Sequence, residues 1–424
     1  MSTPTNETPP TSPGVNGLPA DLQDERLIAS RGLGGWASVM VARMRTGDLG
    51  SLPVVIGLVV IWAVFASLDP LFLSSANLVN LTLQSAATGT IALGIVLVLL
   101  LGEIDLSVGS VSGVSAAILA VVYIHQEWPW YLAAAAALAS GLVVGLIYGA
   151  MFIRFGVPSF VITLAGLLAF MGLQLFILGD AGSIAFPYDS ALVDFAQQTF
   201  LPAAVAYVLV AVVVALYVLS RNATSRQRSA AGLSSTPLVL QAARAAVLAV
   251  LMLIAVYVLN QDRGVSVMFL VFLVLVVIVD LAVRRTGWGR SIMAVGGNVE
   301  AARRAGINVK RVYLSVFAVC STLAALGGIF AAARLAAANQ STGAVDVNLN
   351  AIAAAVIGGT SLFGGRGSAY SALLGILVIQ SITNGLGLLN LDSPVQYMVT
   401  GGVLLLAVII DSLSRRSRSA HGRA

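Results

Sequence analysis

Two carboxylates, Glu103 and Asp105, interrupt an apolar stretch that reads Leu-Leu-Leu-Gly-Glu-Ile-Asp-Leu-Ser-Val-Gly-Ser over residues 99–110. A charge at the centre of a bilayer costs about 2.5–3.5 kcal/mol on insertion scales. It is tolerated where a helix breaks and the freed backbone lines a cavity. Carboxylates accept hydrogen bonds and amides both accept and donate them, which suits a hydroxyl-rich solute. One reading is therefore a translocation pathway or gate touching Glu103, Asp105 and Ser107, with Gln174, Gln380 and Asn384 as polar wall residues on other helices. The other is a tight turn whose acids accept N–H groups at the start of the next helix.

The second constellation is a basic loop from Arg284 to Arg311. Its centre predicts a short helix: Asn298 caps it, Glu300 to Arg304 favour it, and Gly306 ends it. A short helix lying along the membrane between two spans is a lever that a soluble partner can grip. Gly297, Asn298, Glu300, Ala301, Ala302 and Gly306 are the candidate coupling residues. Other chemistry is excluded by what the chain lacks. Cys320 stands alone, and His125 and His421 share no ligand spacing, so neither a metal site nor a catalytic centre is expected. The glycines at 358, 359, 364, 365 and 367 look like a phosphate cradle, but no lysine follows them. This chain is not expected to bind a cofactor or to hydrolyse ATP itself.

The elements that must position these residues are apolar helices. Only 10% of the 424 residues are charged and 58% are hydrophobic, against about 25% charged in soluble domains. Apolar runs fall at 51–68, 78–101, 106–124, 130–152, 159–178, 201–220, 239–260, 265–283, 312–333, 350–363, 368–389 and 394–411. The expected fold is all-α, a polytopic helical membrane protein of ten to twelve spans in which the run 350–363 is short and broken by glycines. A faint likeness between the glycine-broken stretch 358–367 and 88–113 hints at two related halves. Residues 1–50 are read as a disordered or amphipathic cytoplasmic segment, 51–412 as the transmembrane domain, and 413–424 as a basic cytoplasmic tail.

Basic residues collect in cytoplasmic loops. With both termini inside, all of the 23 basic residues except Arg263 and Arg334 fall on the cytoplasmic side. Asp280 with Arg284, and Asp411 with Arg415, are read as i,i+4 pairs at that boundary.

Glu300-Ala301-Ala302, three residues, then Gly306 matches the EAA---G signature of the coupling loop in ABC-importer permeases, although no apolar-Pro element follows. The text around it, from Gly289-Arg290 to Val309, is similar to the ribose/xylose permease family of bacterial sugar importers. So are Ile104-Asp105 to Ser110, Pro158 to Gly166, Ala351 to Ser361, and Leu404-Leu-Leu-Ala-Val. Glu103 before Ile104 and the extra helical pair around 239–283 resemble the xylose-type branch. The resemblance implies the permease subunit of an importer of a monosaccharide, xylose or a related pentose. It would sit in the bacterial inner membrane beside a second copy, a cytoplasmic ATPase that holds ATP and Mg, and an extracytoplasmic sugar-binding protein. No nucleic-acid partner is implied. The alternative is an ion-gradient-driven secondary sugar transporter, which would use Glu103 and Asp105 as its intramembrane acids. A channel filter or a membrane-embedded catalytic cluster is not visible in the sequence.

The orientation is testable. In a Cys320→Ser background, Ser225→Cys should resist an impermeant thiol reagent in intact cells and Tyr188→Cys should react; labelling at 225 reverses the topology.

Overall fold

The computed structural model describes residues 52–231, 238–392 and 394–403, together with 405, 406 and 409. The expected N-terminal segment 1–50, the tail 413–424 and the Asp411–Arg415 pair lie outside the described residues. Every apolar run that is described contains a helix. Nine helices among the described residues are long and apolar enough to cross a bilayer: α2 (Ser75–Leu100), α3 (Val108–Ala120, continued by a π turn to His125), α4 (Trp130–Phe155), α5 (Ser159–Leu178), α7 (Ala203–Ala230), α8 (Leu238–Leu259), α9 (Val267–Arg285), α12 (Val309–Leu335) and α14 (Tyr370–Leu388). Two apolar helices are shorter, α1 (Leu52–Leu68) and α13 (Val345–Ile357), and residues 394–403 are also helical. α13 has 13 residues, or about 20 Å at 1.5 Å each, well short of the ~30 Å hydrocarbon core. The run expected at 350–363 is therefore a half-length helix that starts earlier, at Val345, and stops at Gly358, as its glycines suggest.

Small elements join these helices: α6 (Ala191–Gln197), α10 (Gly287–Gly297), α11 (Val299–Arg304) and two short strands. The strands, three residues each, form the one β-sheet of an otherwise all-α fold among the described residues. β1 (Ser183–Ala185) pairs antiparallel with β2 (Ala337–Asn339), Ile184 opposite Ala338. They follow the ends of α5 and α12, where the chain leaves its helices and the backbone needs new partners.

The chain divides into two compact units, although the sequence predicts one permease domain over 51–412. One unit contains Ala204–Ala255, hence most of α7 and α8; the other contains Gly47–Ala203 and everything from Val256 onward. In the larger unit the core lies around α2 and α12, whose most apolar windows are 89% and 78% buried. α4 and α5 of the same unit are as apolar yet only 33% and 28% buried, so hydropathy alone does not tell core from periphery.

Close backbone approach builds that core. Gly141, Gly145 and Gly149 lie four residues apart on α4, and a Cβ on them would meet Ser321 O, Phe317 O and Leu314 Cα of α12. In lipid, where apolar side chains gain nothing by leaving their solvent, such small-residue seams let two helices pack. Polar glue assists: Trp62 Nε1 donates to Ser381 Oγ at 2.9 Å, and Arg263 donates to Asn80 Oδ1 at 2.8 Å. Gly145→Leu should lower the thermal stability of the detergent-purified chain by about 1–3 kcal/mol through overpacking. Gly172, which a Cβ would leave in open space, is the contrast. Gly172→Ala should raise the melting temperature slightly, since alanine gains up to ~1 kcal/mol of helix propensity.

Candidate functional site: a broken helix beside a capped lever

α2 ends at Leu100, and Gly102 takes φ +80°, a conformation open to glycine. Non-helical backbone follows until α3 begins at Val108. This segment runs along the first turn of α5. Ile104 N donates to Ser159 Oγ at 3.3 Å and Leu106 N to Thr163 Oγ1 at 3.1 Å. Asn348 of α13 donates its amide to Leu106 O. The hydroxyls four residues apart on α5 thus supply acceptors spaced like alternate N–H groups of the broken segment.

Asp105 is buried, with 1% of its surface exposed. Its Oδ1 accepts from Ser107 N at 2.8 Å and from Ser107 Oγ at 2.7 Å, so the carboxylate closes the turn that opens α3. Ser107 O then accepts Val111 N, starting the helix. Glu103 is half-buried and accepts Ser159 Oγ at 2.5 Å. The bond from Ser107 N to Asp105 has the form of the turn-capping reading, whereas Glu103 accepts a hydroxyl of α5 and no N–H group. Asp105 Oδ2 and Tyr148 Oη are buried without a hydrogen-bond partner among the described residues.

The remaining wall candidates lie elsewhere. Gln174 donates to Asn339 O at 2.9 Å and Thr342 O at 2.8 Å, tying α5 to the strand β2 turn. Gln380 pairs with Gln84 at 2.6 Å, and Asn384 exchanges two amide bonds with Asn77 at 2.8 and 2.9 Å. The amide pairs staple α14 to α2. The six polar residues therefore occupy three places: Glu103, Asp105 and Ser107 share the break, Gln380 and Asn384 share the seam between α14 and α2, and Gln174 stands apart.

The lever forms as its residues dictate. Asn298 Oδ1 accepts Ala301 N at 2.9 Å, the cap of α11. Gly306 at φ +81° ends it, with Gly306 N bonded to Arg303 O and Ile307 N to Ala302 O. Glu300 pairs with Arg303 at 3.0 Å and Arg304 at 3.5 Å, and such exposed pairs add little stability. Ala302 is buried, whereas Glu300, Ala301, Arg303 and Arg304 point outward. Before the lever comes a helix that sequence reasoning missed, α10, seated on the bundle by Ile292 and Val295 with Trp288 Nε1 donating to Ser315 Oγ at 2.8 Å. The spacing of Trp288, Ile292 and Val295 is the signal that marks it.

α10 delivers the lever to the break. Gly296 packs so tightly on the end of α2 that a Cβ there would overlap Leu100 O. The same carbonyl accepts Gly365 N at 2.9 Å. A Cβ on Gly364 would sit 2.6 Å from Gly296 O, and one on Gly102 3.4 Å from Phe363 O. Three chain segments, 100–102, 296–297 and 363–365, thus touch through backbone alone. Arg284 Nε lies 2.8 Å from Asp280 Oδ1, the expected i,i+4 pair, at the end of α9 that leads into α10.

Residues 77–408 match a transport family described as "Branched-chain amino acid transport system / permease component". The chain belongs to this permease family. The match spans the break, the lever and the 358–368 loop. The xylose transport system permease protein XylH of Escherichia coli K12 is 38% identical over 348 residues, 82% of this chain and 88% of that protein. XylH of Haemophilus influenzae is 36% identical over 375 residues, covering 88% and 99%. The ribose import permease protein RbsC of Escherichia coli K12 is 30% identical over 358 residues, covering 84% and 92%. No solved structure matches the chain. With nine apolar spans among its described residues, this permease is a multi-pass membrane protein, and the xylose-type resemblance of its sequence is found again in its relatives.

Substitutions at Asp105 separate cap from charge. Asp105→Ala leaves Ser107 N–H and its hydroxyl without their acceptor, at a cost of about 1–3 kcal/mol, and should lower both thermal stability and transport per assembled complex. Asp105→Asn keeps an oxygen acceptor and should retain most transport. A tenfold loss in Asp105→Asn at unchanged melting temperature would assign a role to the charge itself.

Proposed function

We propose that this chain is the membrane-spanning subunit of an ABC importer that admits a pentose, xylose first among them, to the cytoplasm. The observation that carries the reading is the 38% identity to a xylose permease over 82% of the chain, a stretch that contains both the broken helix and the capped lever. Ribose is the next sugar in line, at 30% identity to a ribose permease. Family membership favours the ABC importer over an ion-gradient transporter.

In this reading both termini and the 284–311 loop are cytoplasmic. A cytoplasmic ATPase holding ATP and Mg grips α11, using the outward side of Glu300, Ala301, Arg303 and Arg304. A second copy of the chain completes the pathway, and an extracytoplasmic binding protein delivers the sugar. Movement of α11 passes through α10 to Gly296 and thence to the end of α2. The break carrying Glu103, Asp105 and Ser107 is then the gate. Backbone contact makes this transmission stiff, because no side-chain rotamer lies between the parts to absorb the displacement.

Reconstituted with its ATPase and binding protein, the wild type should show xylose-stimulated ATP hydrolysis and uptake insensitive to ionophores. Glu300→Arg and Gly306→Trp should abolish the stimulation while leaving membrane insertion intact. Gly296→Ala should leave the ATPase bound yet lower uptake per ATP hydrolysed by tenfold or more. Full coupling in all three variants would remove α11 and its joint from the mechanism, and ionophore-sensitive uptake without an ATPase would remove the ABC reading.

A further inference from the structure

Capping leaves two groups beside the break unused. Asp105 gives its Oδ1 to Ser107 N and Ser107 Oγ, while its Oδ2 is buried without a hydrogen-bond partner. The Tyr148 hydroxyl of α4 is buried in the same condition. The first is an acceptor and the second can donate. Independent contacts bring them together. The Tyr148 hydroxyl lies on Gly166 of α5, where a Cβ would overlap it. Gly166 is one turn beyond Thr163, whose Oγ1 accepts Leu106 N of the broken segment. The hydroxyl therefore reaches that segment at the level of Asp105 to Ser107. It stands beside Ser107 and within the field of the Asp105 carboxylate, in hydrogen-bond geometry with neither.

Only one of the two is firmly held. Tyr148 stands between Gly145 and Gly149, the glycines through which α4 packs on α12. Its ring meets that of Phe170 at 6.1 Å, and only 4% of the residue is exposed. A phenol packed in this way has no room to swing. Asp105 belongs to non-helical backbone, and the end of α2 from which that backbone runs is seated on Gly296 and bonded to Gly365 N. That seat is the joint through which the lever acts. In an apolar interior an unpaired donor and an unpaired acceptor side by side are both costly, and a small shift of the movable one pairs them.

We propose that Tyr148 is a positioning residue of the gate: its hydroxyl donates to Asp105 Oδ2 once the lever has shifted the broken segment, and the bond holds the shifted state. This role rests on the gate assigned to the break under the proposed function. A carboxylate acceptor makes the bond charge-assisted, roughly twice as strong as a neutral one. The unshifted state makes no use of the hydroxyl, so the group favours one state over the other and does not merely stabilise the fold.

The full complex with its ATPase and binding protein is melted nucleotide-free and again after trapping with ATP and vanadate, and xylose uptake is measured per assembled complex. Tyr148→Phe should melt with the wild type when nucleotide-free and below it when trapped. Its maximal uptake should fall by tenfold or more, with the half-saturating xylose concentration within about twofold. Added to Asp105→Ala, Tyr148→Phe should cost less than about twofold further, because the hydroxyl acts through that carboxylate. Tyr257→Phe, exposed on α8, should match the wild type throughout. Uptake by Tyr148→Phe within about twofold of the wild type overturns the role and leaves the importer reading standing. A further tenfold loss on top of Asp105→Ala overturns it as well, since the hydroxyl then acts elsewhere. A Tyr148→Phe complex that melts lower in both states, or does not assemble, has lost a bond made at rest, which also overturns it. Wild-type uptake that needs no ATPase overturns the importer reading and the gate with it, an outcome read before any variant is made.

Discussion

A bilayer offers no partner to an exposed peptide group, so a helix interrupted within a membrane protein must find internal partners for every N–H and C=O it frees. The interruption between Leu100 and Val108 is the place where this constraint is most severe, and the surrounding structure is arranged to meet it. Ser159 and Thr163 receive two of the N–H groups, Asp105 receives a third, Asn348 satisfies the Leu106 carbonyl, and Gly365 satisfies that of Leu100. Three separate elements thus converge on one short segment, α5, α13 and the loop after α13, and the segment's own Asp105 supplies a further acceptor.

This convergence explains why the break sits beside the lever. The last free carbonyl of α2 is reachable only by backbones that come very close, and glycine is the residue that permits it. Gly296 and Gly365 approach the same oxygen from two directions, so the loop that carries α11 is packed directly on the end of α2. A contact required for satisfying the membrane-embedded backbone therefore doubles as a mechanical connection. Asp105 has a comparable double character, being a cap by its Oδ1 bonds and a buried carboxyl by its surroundings.

Away from the break, polar side chains act as fasteners between helices. The Asn77–Asn384 and Gln84–Gln380 pairs join α2 to α14, and Gln174 secures the strand turn to α5. Each amide in an apolar helix costs free energy unless paired, and here the pairing is between helices distant in sequence. The glycine seam of α4 on α12 supplies the complementary device, contact without side chains.

The sequence by itself determined the membrane class, the long apolar helices and the whole of α11. All of these rest on composition or on interactions within one helical turn, and Asn298, Glu300 and Gly306 carry their instructions locally. The half-length of α13 was likewise legible in its glycines. Only the tertiary structure decided the partners of Gln174, Gln380 and Asn384, the roles of Ser159, Thr163 and Asn348, the separation of α7 and α8 into a unit of their own, and the seat of Gly296 on Leu100. An amide in an apolar helix looks the same whether it faces a pathway or a second amide about 300 residues away. A glycine does not announce which backbone will approach it, because that choice is made by the packing of helices and not by the chain around it.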